Sequence, residues 1–164
     1  MKKLLFIATT LFFTANSYAQ FSFKDDLEIV QALFKKAKKE LIAEAMNLEA
    51  EEAEKFWPVY EQYEQKRKPL AKQKIEIIIA YAVEYSAMTD EKANIFARVY
   101  LNNHLQQEML HSKFYKKMSK KVGALNAAKW MQIEIFIQTQ IRALIQSEIP
   151  FIDQMEVSQP IIKT

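Results

Sequence analysis

One glycine in 164 residues, Gly123, decides most of what this chain can be. Tight β-hairpin turns and phosphate-cradling loops draw on glycine repeatedly, because they need backbone conformations that side chains forbid. A chain with a single glycine can place glycine in only one such turn. It also has no cysteine, which removes disulfide staples, thiol catalysis and thiolate metal sites together. Half of its residues are hydrophobic. Ala, Leu, Ile, Glu, Gln and Lys are abundant, and these are residues that helices tolerate well. The composition predicts an all-α fold.

Met1-Lys2-Lys3, the apolar run Leu4 to Thr14 and Ser17-Tyr18-Ala19 have the three parts of an export signal, with cleavage expected before Gln20. The apolar run is about half the roughly 20 residues needed to span a bilayer, so an anchor is the poorer reading. Residues 1–19 are therefore expected to be a signal peptide, residues 20–164 a single helical domain, and the compartment periplasmic. Removing 19 of 164 residues leaves 145, enough to bury a core without staples. Losing Lys2 and Lys3 takes the formal charge from +3 to +1. A near-neutral chain without a long lysine block is not expected to bind nucleic acid, and no stable membrane span is expected either.

Helical periodicity organises the rest. A first helix is expected over about Leu27–Met46, with Leu27, Val30, Leu33, Phe34, Leu41 and Ile42 inward and Lys35, Lys36, Lys38 and Lys39 as a solvated outer face. A second, over about Glu49–Ser86, carries the densest aromatic stripe of the chain: Phe56, Tyr60 and Tyr63, widened by Trp57 and Val59. Pro58 and Pro69 lie inside it and are expected to bend it. Arg67 and Lys74 interrupt the stripe, and are expected to snorkel or to pair with a carboxylate from a neighbouring helix.

Thr89 is a good N-cap for a third helix that runs to about Val122, with Gly123 placed as its C′ residue. The middle of that helix is polar, and its end is basic through Lys116, Lys117, Lys120 and Lys121. Asn126 is expected to cap a fourth helix ending near Ser147, whose apolar stripe is Trp130, Ile133, Ile137, Ile141 and Leu144. From Pro150 the tail has no helical period. The expected architecture is four helices, two of them long and bent, in a cradle or an elongated helical hairpin.

Three helix starts look alike: Leu48-Glu49-Ala50-Glu51-Glu52, Met88-Thr89-Asp90-Glu91-Lys92 and Leu125-Asn126-Ala127-Ala128-Lys129. Each sets an apolar residue just before a polar one that opens a helix, the arrangement of a hydrophobic staple. On long helices in an exported all-α chain, this resembles the LTxxQ motif of the Spy/CpxP family, although only Thr89 matches its threonine, and Glu52, Lys92 and Lys129 stand where glutamine is expected. Phe56-Trp57-Pro58-Val59-Tyr60, Tyr81-Ala82 with Tyr85, Thr89 to Ala93, Gln132-Ile133-Glu134 and Ile149-Pro150-Phe151 also resemble a group of exported bacterial proteins placed near that family. The resemblance implies a thin helical cradle, usually dimeric, that holds unfolding clients without ATP.

No serine sits in a nucleophile elbow, and the acidic residues fall in solvated helical patterns, so enzymatic chemistry is not expected. His104, Glu108 and His111 share one helical face at i, i+4 and i+7, and imidazole with carboxylate suits a divalent transition metal. The i to i+7 separation, about 10 Å of helix, requires ligands from elsewhere. The preferred expectation is an ATP-independent chaperone-like or envelope-stress protein, whose client contacts would be Phe56, Trp57, Tyr60 and Trp130 if these are exposed rather than core. Its partners would be unfolded or partner proteins and a second copy of the chain, as a homodimer. The alternatives are a metal-responsive sensor built on the His104 trio, and a structural protein with a dedicated protein partner.

Overall fold

The computed structural model describes residues 26–147, and every regular element among them is helical. In chain order these are α1 (Asp26–Phe34), α2 (Lys38–Met46), α3 (Ala50–Glu84), a 3-10 turn (Tyr85–Ala87) and α4 (Asp90–Ser147). The export signal, Phe21, Phe23 and the Ile149-Pro150-Phe151 motif lie outside the described residues. Among those described, no helix is long and apolar enough to cross a membrane.

The first expected helix is two helices. Lys35 adopts φ 55°, and its N–H closes the last turn of α1 on the Gln31 carbonyl. The stretch Lys35 to Glu40 offers only Ala37 as an apolar residue, so a straight helix would gain almost no burial there. The break lets each half aim its own residues: Ile29 and Val30 from α1, Ile42 and Met46 from α2, all essentially buried. It also turns Lys38 inward. Lys38 was expected on the solvated face and is instead buried.

α3 runs through both prolines, which are exposed, and buries Phe56, Val59, Tyr60 and Tyr63 as the stripe requires. Thr89 caps α4 as expected, its Oγ1 accepting the Lys92 N–H at 3.3 Å. Asn126 does not cap. Its Nδ2 donates to Glu52 Oε1 on α3, at 2.8 Å.

At Gly123 the backbone leaves helical geometry, with φ 82° and ψ 161°. This divides α4 into two limbs, residues 90–122 and 124–147, and the contacts show that the second folds back along the first. Phe114 and Trp130 both pack edge-on against the Tyr63 ring, at 5.6 and 5.0 Å. His111 and Glu134 both reach the Tyr63 hydroxyl. Gln107 and Gln138 line one small cavity. In a straight helix those two glutamines would stand about 46 Å apart at 1.5 Å per residue. Each pair is centred near residue 123, so one residue reverses the chain. The fourth helix expected from sequence is thus the second limb, antiparallel to the first.

The core sits where α3, both limbs and the α1–α2 pair meet, and it is centred on Phe56, Tyr60, Tyr63, Phe114, Met118, Trp130 and Ile137. Beyond about residue 78, α3 and the first limb continue as a two-helix arm. Tyr81 and Phe96 cross it edge-on at 5.9 Å, and the 3-10 turn closes its tip.

Candidate functional site

The four aromatics expected to touch clients separate by position. Phe56, Tyr60 and Trp130 are buried, and only Trp57 is half-exposed. Phe56 stacks on Tyr60 at 5.7 Å, while Trp57 meets both rings edge-on and carries Lys39 Nζ 5.0 Å above its face. Helical spacing of aromatics marks a buried stripe whatever it faces, and here it faces the bundle interior. Three of the four are core residues, so client contact cannot fall on them in the folded chain.

Tyr63 is the centre of a polar cluster that periodicity did not reveal. Lys38 Nζ donates to Glu64 Oε1 at 2.8 Å and to Glu134 Oε2 at 2.9 Å, and lies 5.8 Å from the Tyr63 ring centre. Arg67 grips Glu64 with two donors, Nε at 2.6 Å and Nη2 at 2.9 Å. The Tyr63 hydroxyl lies 2.7 Å from His111 Nε2 and 3.3 Å from Glu134 Oε2. It has one proton for two acceptors, so donating to Glu134 makes His111 Nε2 the donor to the phenol oxygen. Glu134 is fully buried, and its Oε1 has no hydrogen-bond partner among the described residues. α2, α3 and both limbs are therefore tied through a largely buried, charged joint.

Electrostatics follow from that geometry. Burial pushes the Glu64 carboxyl up, but the Arg67 hydrogen bond and the Lys38 charge more than reverse this and bring it down to about 2. Burial first, and the Glu134 charge second, hold the Tyr63 phenol well above its ordinary value. One signal for the joint was present in the sequence. Glu134 lies at i+4 from Trp130 and three before Ile137, on the apolar stripe itself. Its partner was hidden, because Lys38 sits in a lysine run that reads as solvated.

The metal trio does not converge. His111 is engaged by Tyr63, and its Nδ1 lies 3.7 Å from Glu108 Oε2, while Glu108 points to solvent. Among the described residues no group of three His, Asp or Glu side chains is placed to hold an ion. A cleft of about 430 Å³ opens between α1–α2 and α3, lined by Gln31, Lys38, Lys39, Tyr60, Glu61 and Glu64. Lys39 and Glu61 pair across it at 2.9 Å.

The surface carries a different feature. Leu101, Leu105 and Met109, at successive i+4 positions on the first limb, are 63%, 58% and 63% exposed. The opposite side of that limb buries Asn103, Gln107 and Phe114. There Asn103 Nδ2 donates to the Leu70 carbonyl and to Gln73 Oε1, both at 2.9 Å, and Gln107 Nε2 donates to Asn103 Oδ1 at 2.7 Å. This inverts the usual helix pattern: amides point inward and aliphatic side chains outward. Val83 and Ile95 extend the exposed apolar character onto the arm. No family model, curated protein or solved structure matches the chain. Fold and site define it as an all-α bundle with a projecting two-helix arm and an apolar outer stripe.

Proposed function

We propose that this is an exported, periplasmic protein that binds apolar segments of other proteins without ATP, in the manner of a small helical chaperone. The observation that supports it best is the exposed Leu101, Leu105 and Met109 stripe, on a helix whose inward face is satisfied by hydrogen bonds. Solvent-facing aliphatic side chains in a continuous row mark interaction sites more often than isolated ones do. Charges border the row, with Arg98, Glu108, Lys113 and Lys116 all exposed on the same limb. Such a mixture favours loose, reversible contact with a partly unfolded chain. The resemblance to exported helical chaperones agrees with this reading, with the client surface moved from the core aromatics to the first limb.

The test is suppression of aggregation of a chemically unfolded model protein by the chain from Gln20, without ATP. The wild type is expected to suppress at near-stoichiometric ratio. Replacing Leu101, Leu105 and Met109 together by serine is expected to abolish suppression while leaving helicity intact. Suppression that survives the triple substitution would place the client surface elsewhere, and a wild type that suppresses nothing would remove the chaperone reading.

A further inference from the structure

We infer that the closed end of the α4 hairpin docks on an anionic phospholipid surface, with Leu125 entering the headgroup layer and the lysines of the first limb meeting lipid phosphates. This is attachment to the face of a bilayer rather than passage through it. It does not rest on the client-surface reading above.

The first observation is charge. Residues 109–133 contain six lysines and no aspartate, glutamate or arginine. The whole chain is +3, so the remainder carries −3 and the hairpin end is a concentrated positive pole. Lys113, Lys116, Lys117, Lys120 and Lys121 are all exposed. At about 100° per residue they occupy an arc of about 140° on the first limb, while Phe114 and Met118 fill its buried side. No described carboxylate pairs with any of the five. Lys117 Nζ donates to Gln62 Oε1 and lies near the Phe114 ring, and both partners are uncharged. Four acids share this end of the bundle, at the start of α3. Glu51 pairs with Lys55 and Glu52 accepts from Asn126, which leaves Glu49 and Glu54 against five lysines. The helix dipole accounts for cations in the last turn, Lys120 and Lys121, but not for the three that precede them.

The second observation decides what the pole meets. The contacts that fold α4 back on itself set Leu125 level with Lys120, and Leu125 is 85% exposed. A bare aliphatic at the corner of a lysine cluster adds nothing against a nucleic acid or an ion-pairing acidic peptide. It suits the boundary where acyl chains begin beneath phosphates, with flexible lysine stems spanning the difference in depth. Lysine without arginine points the same way. A compact ammonium suits a diffuse layer of headgroups, whereas recognition of one particular carboxylate or phosphate draws on the forked guanidinium. Docked at this end, the molecule keeps the Leu101–Met109 row about 21–33 Å from Gly123 at 1.5 Å per residue, clear of the headgroups.

Co-sedimentation of the chain from Gln20 with lipid vesicles reads this directly. Vesicles of phosphatidylcholine and phosphatidylglycerol in equal parts are expected to bind it, and vesicles of phosphatidylcholine alone are not. Raising the salt from about 50 mM to about 500 mM is expected to release it, as the screening length shortens. K120Q/K121Q is expected to weaken binding about thirtyfold, at about fivefold for each lysine. Leu125→Ser is expected to weaken it about tenfold and to leave its salt dependence unchanged. Circular dichroism checks that each variant remains folded. Because the chain is free of cysteine, a polarity-sensitive dye can be attached through Leu125→Cys or, on the arm, through Val83→Cys. A blue shift on the anionic vesicles is expected at 125 and not at 83. No binding to anionic vesicles at low salt, equal binding to both lipids, indifference to K120Q/K121Q, or a dye that responds as much at 83 as at 125 would each overturn the inference. Binding to soluble polyglutamate without binding to vesicles would assign the pole to acidic proteins and overturn it as well. Aggregation suppression is read without lipid, so failure of the client surface and failure of the lipid contact remain distinct results.

Discussion

Gly123 provides the sharpest test of the fold. Its φ of 82° with ψ of 161° lies in the region that glycine alone enters comfortably. A Cβ built on it would meet no atom within 4 Å. Replacement by alanine therefore introduces no clash, and its whole cost is the backbone conformation, about 1–3 kcal/mol. For a domain of this size each kcal/mol moves the melting temperature by about 2–4 °C, so G123A should melt roughly 2–12 °C below wild type. Asparagine separates this geometry from an ordinary helix C-cap. At a left-handed C′ position, with ψ near 50°, asparagine substitutes well. At ψ 161° it gains nothing, so G123N should fall as far as G123A. Thermal unfolding followed by circular dichroism reads both. A G123N protein as stable as wild type, beside a weakened G123A, would show that residue 123 is a conventional C-cap and that the limbs do not reverse there.

Other consequences of the structure can be checked by similar means. K38M should cost about 3–5 kcal/mol in urea unfolding, since it strands the buried Glu134 carboxylate; E134L should cost less, because Lys38 keeps Glu64, and the double variant should recover most of the K38M loss. Tyr63→Phe removes the hydroxyl shared by His111 and Glu134 and should cost about 1–3 kcal/mol, read by the same titration. Stability should fall with acidity: the Glu64 carboxyl is held near 2 in the folded chain against an ordinary 4.5, so its contribution is complete above pH 4.5 and lost progressively towards pH 2. E64Q should flatten that part of the pH–stability curve, and an unchanged slope would contradict the assigned pairing. At the alkaline end the raised Tyr63 phenol works in the opposite direction. The unfolded chain ionises first, so stability should decline as pH rises past 10, and less so in the phenylalanine variant.

Much of the architecture was legible in the sequence, because it rests on signals that survive averaging. One glycine, a capped Thr89 and four apolar stripes place the helices and their ends to within a few residues. The break at Lys35 was not legible, because a lysine in left-handed geometry leaves no mark of its own. The period across it was borrowed from two short helices that each happen to be apolar on one side. The candidate site was less legible than the fold. Aromatic spacing identifies a buried stripe but not what buries it, and Phe56, Tyr60 and Trp130 proved to be interior. Asn103 and Gln107 belong to the polar middle expected of the third helix, yet they point inward, because an amide pair can satisfy itself against the Leu70 carbonyl. With the amides turned in, Leu101, Leu105 and Met109 face out, a reversal that hydrophobic patterning alone would never assign. Lys38 and Glu134 lie 96 residues apart and meet only through tertiary structure.

The reversal at Gly123 also sets where this chain has room to change. One residue joins the two limbs, with no slack, and Gln107, His111 and Phe114 keep step with Gln138, Glu134 and Trp130 across it. An insertion on either side of that joint turns every later side chain by about 100° and carries Glu134 away from Lys38. The far end obeys no such rule. Past residue 78 the arm has two helices and a three-residue closing turn, so matched additions to both would lengthen it without disturbing the core. Lineages descended from this protein should therefore differ in the reach of the arm while holding the joint constant in length.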